Sequence, residues 1–215
     1  MEISDNTIER VCKVFGYLEY LEQVGCEYIS SKNLAKYIGT TEYTVRKDIS
    51  LIGVTGYDRK GYPVSRFKRE LGEKLDLSKE KSACIAGLGR IGSAILDYEE
   101  FREDGFNIIA GFDTNINKLE RIRTKIEVYP VSCMENIIKQ KGIELGIIAV
   151  PTGSAQNTAE RLISAGIKGI LNFAPVKLEI PEGIIYLDMD LTNSLRFISA
   201  KLATQTRKLK GGNDV

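Results

Sequence analysis

Gly87-Leu-Gly89-Arg-Ile-Gly92 follows directly on Ser82-Ala-Cys-Ile-Ala86, a short apolar run with the length and composition of a buried parallel strand. A bare G-x-G-x-x-G arises often by chance, so its context decides. Here a helical segment follows, with Ala94, Ile95 and Leu96 assigned to packing. A second strand-like run, Phe106 to Phe112, then ends in Asp113, 21 residues after Gly92. An acid about 20 residues beyond the last glycine is the group that hydrogen-bonds the adenosine ribose in dinucleotide-binding βαβ units. In that arrangement Gly87 permits the tight turn, Gly89 lets the backbone approach a pyrophosphate, and Gly92 allows the helix to pack on the strand. Leu88, Arg90 and Ile91 complete the loop, Arg90 either reaching a phosphate or pointing to solvent. The carboxylate of Asp113 predicts NAD(H) in preference to NADP(H).

Strand-like runs continue at Ile126–Tyr129, Leu145–Val150 and Lys168–Asn172, separated by helical segments around Met134–Gln140 and Ser154–Ala165. This alternation predicts an α/β architecture with an open parallel sheet of Rossmann type, whose ligands lie at the carboxyl ends of the strands. Val150, Pro151, Thr152, Asn172 and Phe173 are therefore expected to line the cleft.

The first third reads differently. Ile8, Val11, Cys12, Phe15, Leu18 and Leu21 mark one face of a helix from about Asn6 to Val24. A second helix opens at Ser30-Ser31, and a third, capped by Thr40-Thr41, reaches about Leu51. In the third, Val45, Ile49 and Ile52 fall on one side while Tyr43, Arg46, Lys47 and Ser50 repeat the helical spacing with polar groups. Two short helices after a longer one, joined through Gly39, form a helix-turn-helix pattern. The turn-rich stretch Gly53–Val64 fits the wing of a winged helix. Charge agrees: residues 1–31 hold two basic residues against six acids, a net of −4, and residues 32–69 hold nine against three, a net of +6. Such a split suits binding to a phosphate backbone, with Ser31, Lys32, Thr41, Tyr43, Thr44, Arg46, Lys47 and Ser50 of the helices and Arg59, Lys60 and Tyr62 of the wing as contacts.

The final segment, Leu191 to about Leu209, places Leu191, Leu195, Ile198 and Leu202 on one stripe, with Thr192 or Asn193 as its cap. Its partner surface is either its own domain or a second subunit. The expected division is 1–78, 79–190 and 191–215.

The chain has no histidine, the usual proton carrier near neutral pH and the commonest metal ligand, and Cys12, Cys26, Cys84 and Cys133 form no C-x-x-C pair. Neither a metal site nor an enzyme is expected, and the cysteines read as buried, reduced thiols. The start has no targeting pattern and no apolar run approaches the ~18 residues of a membrane span, so the expected location is cytoplasmic, away from membranes. A dehydrogenase would need a substrate domain, and after Asp113 only 102 residues remain, nearly all taken by the sheet. Tyr43-Thr-Val-Arg-Lys47 matches a Y-x-x-x-K dyad but lies before the glycine loop. A coenzyme A site is opposed by Asp113, close to where the 3′-phosphate would lie. Sensing through the thiols lacks an electropositive, paired site.

Ser30-Ser-Lys-Asn-Leu-Ala35, Val45-Arg-Lys-Asp-Ile-Ser50, the glycine loop and Ala165-Gly-Ile-Lys-Gly-Ile-Leu-Asn-Phe-Ala-Pro-Val176 together resemble the Rex family of redox-sensing bacterial transcriptional repressors. The resemblance runs from about residue 6 to residue 200. It implies a homodimer with winged helices, NAD(H)-binding Rossmann domains and C-terminal helices exchanged between subunits, bound to palindromic double-stranded operator DNA when NADH is scarce and released when it rises. It also implies that Tyr98 and Asp188 pair across the dimer and change with the nicotinamide state. Two features depart from the family pattern: Tyr57-Asp58 intervene between Gly56 and the basic pair Arg59-Lys60, and Leu51-Ile52 lacks an aromatic. Both fall on the DNA contacts.

Overall fold

A computed structural model describes residues 3–54 and 60–210, the side chains of 206–210 excepted. The chain divides into two compact units, Met1–Lys79 and Glu80–Val215.

The first unit comprises α1 (Asp5–Gln23), β1 (Tyr28–Ile29), α2 (Ser31–Ile38), α3 (Glu42–Ile52), β2 (Tyr62–Pro63) and α4 (Val64–Leu75). Ser4, Ser30 and Thr41 cap the first three helices, each side chain accepting from a backbone N–H three residues on. β1 and β2 pair antiparallel, Tyr28 opposite Pro63 and Ile29 opposite Tyr62. Gly61 makes that approach possible: at φ +103°, a Cβ there would stand 2.6 Å from the Ile29 carbonyl oxygen. The buried stripe of α1 is Thr7, Val11, Val14, Phe15, Leu18 and Leu21. Ile8 and Cys12, expected inside, are exposed. The stripe is rotated because Thr7 turns inward to a buried acid on α3.

The second unit follows the order β3 (Lys81–Ala86), α5 (Arg90–Leu96), α6 (Glu99–Glu103), β4 (Phe106–Asp113), α7 (Ile116–Leu119), β5 (Val128–Pro130), α8 (Met134–Lys141), β6 (Leu145–Ile148), α9 (Thr152–Ala165), β7 (Gly169–Asn172), β8 (Ile185–Asp188) and α10 (Leu191–Lys210). Six parallel strands lie in the order β5-β4-β3-β6-β7-β8. Apolar side chains fill both faces. Met134, Ile138, Ala155, Ala159 and Leu162 pack one side, and Leu88, Leu96 and Ile108 the other.

Several expectations move. Ala94 is exposed, so α5 packs through Leu96 with Ile95 half-buried. β5 starts at Val128, two residues late, and β8 was not foreseen, its register set by pairing to β7. Asp190 caps α10, accepting from the Asn193 N–H at 2.8 Å, where Thr192 or Asn193 was expected. Of the cysteines only Cys84 is buried, its thiol pushed up to about 12 by burial. No helix among the described residues is long and apolar enough to cross a membrane.

Candidate dinucleotide cleft and DNA-binding face

β3 delivers the glycine loop to the carboxyl edge of the sheet, beside the point where the chain order reverses between β3 and β6. Gly87 sits at φ +94°, and a Cβ there would meet the Ala149 carbonyl oxygen at 2.6 Å. A Cβ on Gly92 would be 1.8 Å from the Gly87 oxygen, so only glycine lets α5 rest on the loop. Gly89 faces open space, with nothing within 4 Å of a Cβ position. The three glycines thus divide into turn, opening and packing contact, a cradle in which the backbone at Gly89 is accessible to a phosphate group.

Asp113, at the end of β4, is only 6% exposed. Its Oδ2 accepts from the Leu88 N–H at 2.9 Å and from the Lys118 ammonium at 2.7 Å, and its Oδ1 from the Asn115 N–H at 2.8 Å. Burial alone pushes this carboxyl up; Lys118 and the two N–H groups outweigh it and hold it below the ordinary carboxylate range. The carboxylate expected to meet a ribose is therefore already tied to the loop. Lys118 escaped the sequence reading because α7 is a single turn with no apolar period; its one local signal is Asn115, which caps it from the i position.

A cleft of about 750 Å³ gathers Gly87, Gly89, Arg90, Ile91, Asp113, Val150 and Pro151 from the expected set. It adds Lys118, Ser154, Asn157, Thr158 and Arg161, the last two from successive turns of α9. Arg161 is held by Glu135 at 2.7 Å and by the Val131 carbonyl oxygen at 2.7 Å. Five expected residues lie elsewhere. Leu88 is buried in the core beneath the loop, Gly92 is covered by it, Thr152 is exposed at the start of α9, and Phe173 packs half-buried against the core. Asn172 is wholly buried: its amide nitrogen reaches the carbonyls of Ala174 and Val176, the Tyr186 hydroxyl and Asp188, while its oxygen accepts from the Ala174 N–H. The Asn-Phe-Ala-Pro motif clamps a turn rather than lining the cleft. Asp188 also accepts from the Tyr186 hydroxyl, whereas Tyr98, half-exposed, meets Phe101 edge-on at 5.1 Å. The two residues expected to pair across a dimer thus have different partners within one chain.

In the first unit α3 buries Val45, Asp48, Ile49 and Ile52 and exposes Tyr43, Arg46, Lys47 and Ser50. Asp48 is the residue sequence reasoning missed, because an acid within a basic, polar stretch reads as surface. It is 3% exposed and takes a bidentate grip from Arg10, Nε to Oδ2 at 2.6 Å and Nη2 to Oδ1 at 2.9 Å, with the Thr7 hydroxyl donating at 3.1 Å. This joint fixes the rotation of α3 against α1 and so decides which side chains point outward. Among the other expected contacts Lys32 and Lys60 are exposed, and Ser31 and Thr44 are half-buried. The Thr41 hydroxyl is occupied as the cap of α3, and Arg46 lies 2.5 Å from Glu42. Tyr62 stacks on Phe67 at 4.6 Å and is half-buried, which makes it part of the core as much as of the wing. Arg59, with Tyr57 and Asp58, lies outside the described residues.

The chain has extensive likeness to known proteins. A family model described as a CoA binding domain matches residues 78–176, and one described as the N-terminus of a putative DNA-binding protein matches residues 2–50. The redox-sensing transcriptional repressor Rex of Carboxydothermus hydrogenoformans is 37% identical over 198 residues, 92% of this chain and 95% of the relative. That of Desulfitobacterium hafniense is 35% identical, covering 95% and 98%. Among solved structures, RSP in complex with β-NAD+ and operator DNA superposes with a TM-score of 0.85 at 35% identity, covering 99% of each chain. RSP in complex with β-NADH, a Rex-family repressor, gives 0.85 at 34% identity, covering 98% and 99%.

Proposed function

The chain belongs to the Rex family of redox-sensing transcriptional repressors, and from this premise we propose how its own residues carry that function. It is a DNA-binding repressor responsive to NAD(H) rather than an enzyme, and it acts as a homodimer on operator DNA. Operator binding, together with the bacterial origin of the relatives, supports a cytoplasmic location. The functional division is 1–78 for DNA, 79–190 for the dinucleotide and 191–215 for dimerisation.

The observation that carries the cofactor assignment is the glycine cradle opening on the cleft beside Asp113. The backbone at Gly87 and Gly89 and the side chain of Arg90 hold the pyrophosphate, Asp113 and Lys118 border the adenosine ribose, and Val150 and Pro151 flank the path toward the nicotinamide. When bound, the nicotinamide supplies only its redox state as a signal. The relatives' complexes with NAD+ and NADH favour this cofactor; the shared glycine loop accounts for the match to a CoA-binding model.

On the DNA side, α3 enters the major groove with Tyr43, Arg46, Lys47 and Ser50 outward, Lys32 meets the backbone, and Lys60 extends from the wing. For Arg46 to reach DNA it must exchange Glu42 for a phosphate or a base. The exposed stripe of α10, Leu191, Leu195, Ile198 and Leu202, each more than half exposed, is the surface a second subunit covers. Tyr98 and Asp188 are placed at the dimer switch, which requires Asp188 to trade Tyr186 or Asn172 for the partner's tyrosine.

Two dimer geometries differ in whether the recognition helices stand one helical turn of DNA, about 34 Å, apart. Only a difference in dinucleotide affinity between them moves that equilibrium, and a hundredfold preference supplies about 2.7 kcal/mol. Gel-shift titration on the protein's own promoter across NADH/NAD+ ratios tests the reading: operator binding should fall as NADH rises, and indifference to the ratio would sink it.

A further inference from the structure

We propose that the second unit carries a further ligand site, remote from the dinucleotide cleft, that takes a small amphipathic carboxylate: an apolar body ending in one negative charge. A cavity of about 710 Å³, large enough for a ligand of that class, opens between the α5–α6 joint, the start of β4 and the segment leading into β5. Asp113 of the dinucleotide cleft lies at the other end of the same β4, so the two openings are a strand's length apart. The floor is apolar: Leu96 and Ile108 are buried, Ile126 is half-buried, and Phe106 stands open beside them. The rim is cationic. Arg102 of α6 and Arg123 and Lys125 of the segment before β5 are exposed, and none of the three has an ion-pair partner among the described residues. Lys118, Lys141, Arg161 and Lys168 of the same unit, by contrast, each lie within 2.7 Å of a carboxylate. Two acids, Asp97 and Glu99, share the rim, and Asp97 is engaged: the Thr124 hydroxyl donates to its Oδ1 at 2.6 Å and accepts from the Ile126 N–H at 3.0 Å. This clamp fastens the loop of Arg123 and Lys125 to the α5–α6 joint, so cations and floor are held together before a ligand arrives. Lone phosphate would leave the floor wet, and a neutral hydrocarbon would leave the cations unused. A hydrocarbon body over Leu96, Phe106 and Ile108 with its carboxylate turned to the arginines satisfies both.

Calorimetric titration of the full chain with octanoate, 1-octanol and octylammonium, which share one apolar body and differ in charge, tests this. Octanoate should bind saturably, about one per chain, and saturating NADH should not displace it. Octanol and octylammonium should bind at least about tenfold more weakly. Arg102→Glu and Arg123→Glu, one on α6 and one on the loop, should each weaken octanoate about tenfold or more while leaving the thermal unfolding midpoint unchanged, since both side chains are exposed. Absence of saturable octanoate binding, as a groove filled by a second subunit would give, overturns the proposal. So would octanol or octylammonium binding as tightly as octanoate, octanoate displaced by NADH, or octanoate affinity unmoved in both variants.

Discussion

Among the described residues each unit of the molecule buries one aspartate against a cation, and the two serve opposite ends. Asp48 is closed in: a bidentate arginine and a threonine hydroxyl meet it from α1, and its purpose is to hold α3. Asp113 is equally inaccessible, yet it stands at the rim of a cleft, and two of its three donors are backbone N–H groups of the loops that form that cleft. Burial and ion pairing alone therefore do not mark a ligand site. What separates the two is the source of the donors. Side-chain donors from a packed helix make a joint; backbone donors from irregular loops shape an opening.

Removing each carboxylate should separate joint from opening. Asp48→Ala leaves Arg10 and Thr7 without their acceptor between packed helices and should cost about 3 kcal/mol in denaturant unfolding. NADH affinity should stay within about twofold, because nothing in the cleft is touched; a large loss of NADH binding would break the distinction. Asp113→Ala should cost less stability, about 1.5 kcal/mol, since Lys118 is partly solvated and the freed N–H groups lie beside a cleft that water can enter. It should weaken NADH binding about tenfold, with the loop at Leu88 no longer held.

Asp113 also predicts a pH dependence. Its folded pKa lies below that of the unfolded chain, about 3.9. The stabilisation is thus fully present above that value and is lost as pH falls through the lower folded pKa. Acid-unfolding curves of Asp113→Asn should lack this limb, and an identical limb in the variant would assign it to other groups. The smallest effect belongs to the outward face of α3. Lys47→Ala should leave stability within about 0.5 kcal/mol and reduce the slope of log affinity against log salt for operator DNA by about one.

The glycine loop, the acid at position 113, the helix-turn-helix spacing and the apolar stripe of the last helix were all legible in the sequence, because each is a local period or a fixed offset. Less local features were not. The edge strand at Ile185–Asp188 is defined by its pairing to β7, and its alternation is too short to stand out unaided. Asn172 read as a cleft residue from its place after a strand, yet its amide turned inward, within reach of the Ala174 and Val176 carbonyls of its own turn and of Tyr186 and Asp188 on β8.

By itself the sequence determined two units, a dinucleotide-type turn that only glycine can make, and a polar face on the third helix, since backbone sterics and helical period act within a few residues. The tertiary structure decided which charges remain available. Arg10 and Asp48, 38 residues apart, cancel inside the first unit. Lys118 and Asp113, five apart on either side of a loop, cancel at the cleft. A charge count cannot see either pairing, because the interaction depends on distance through space and on the exclusion of water, both of which exist only once the chain has folded.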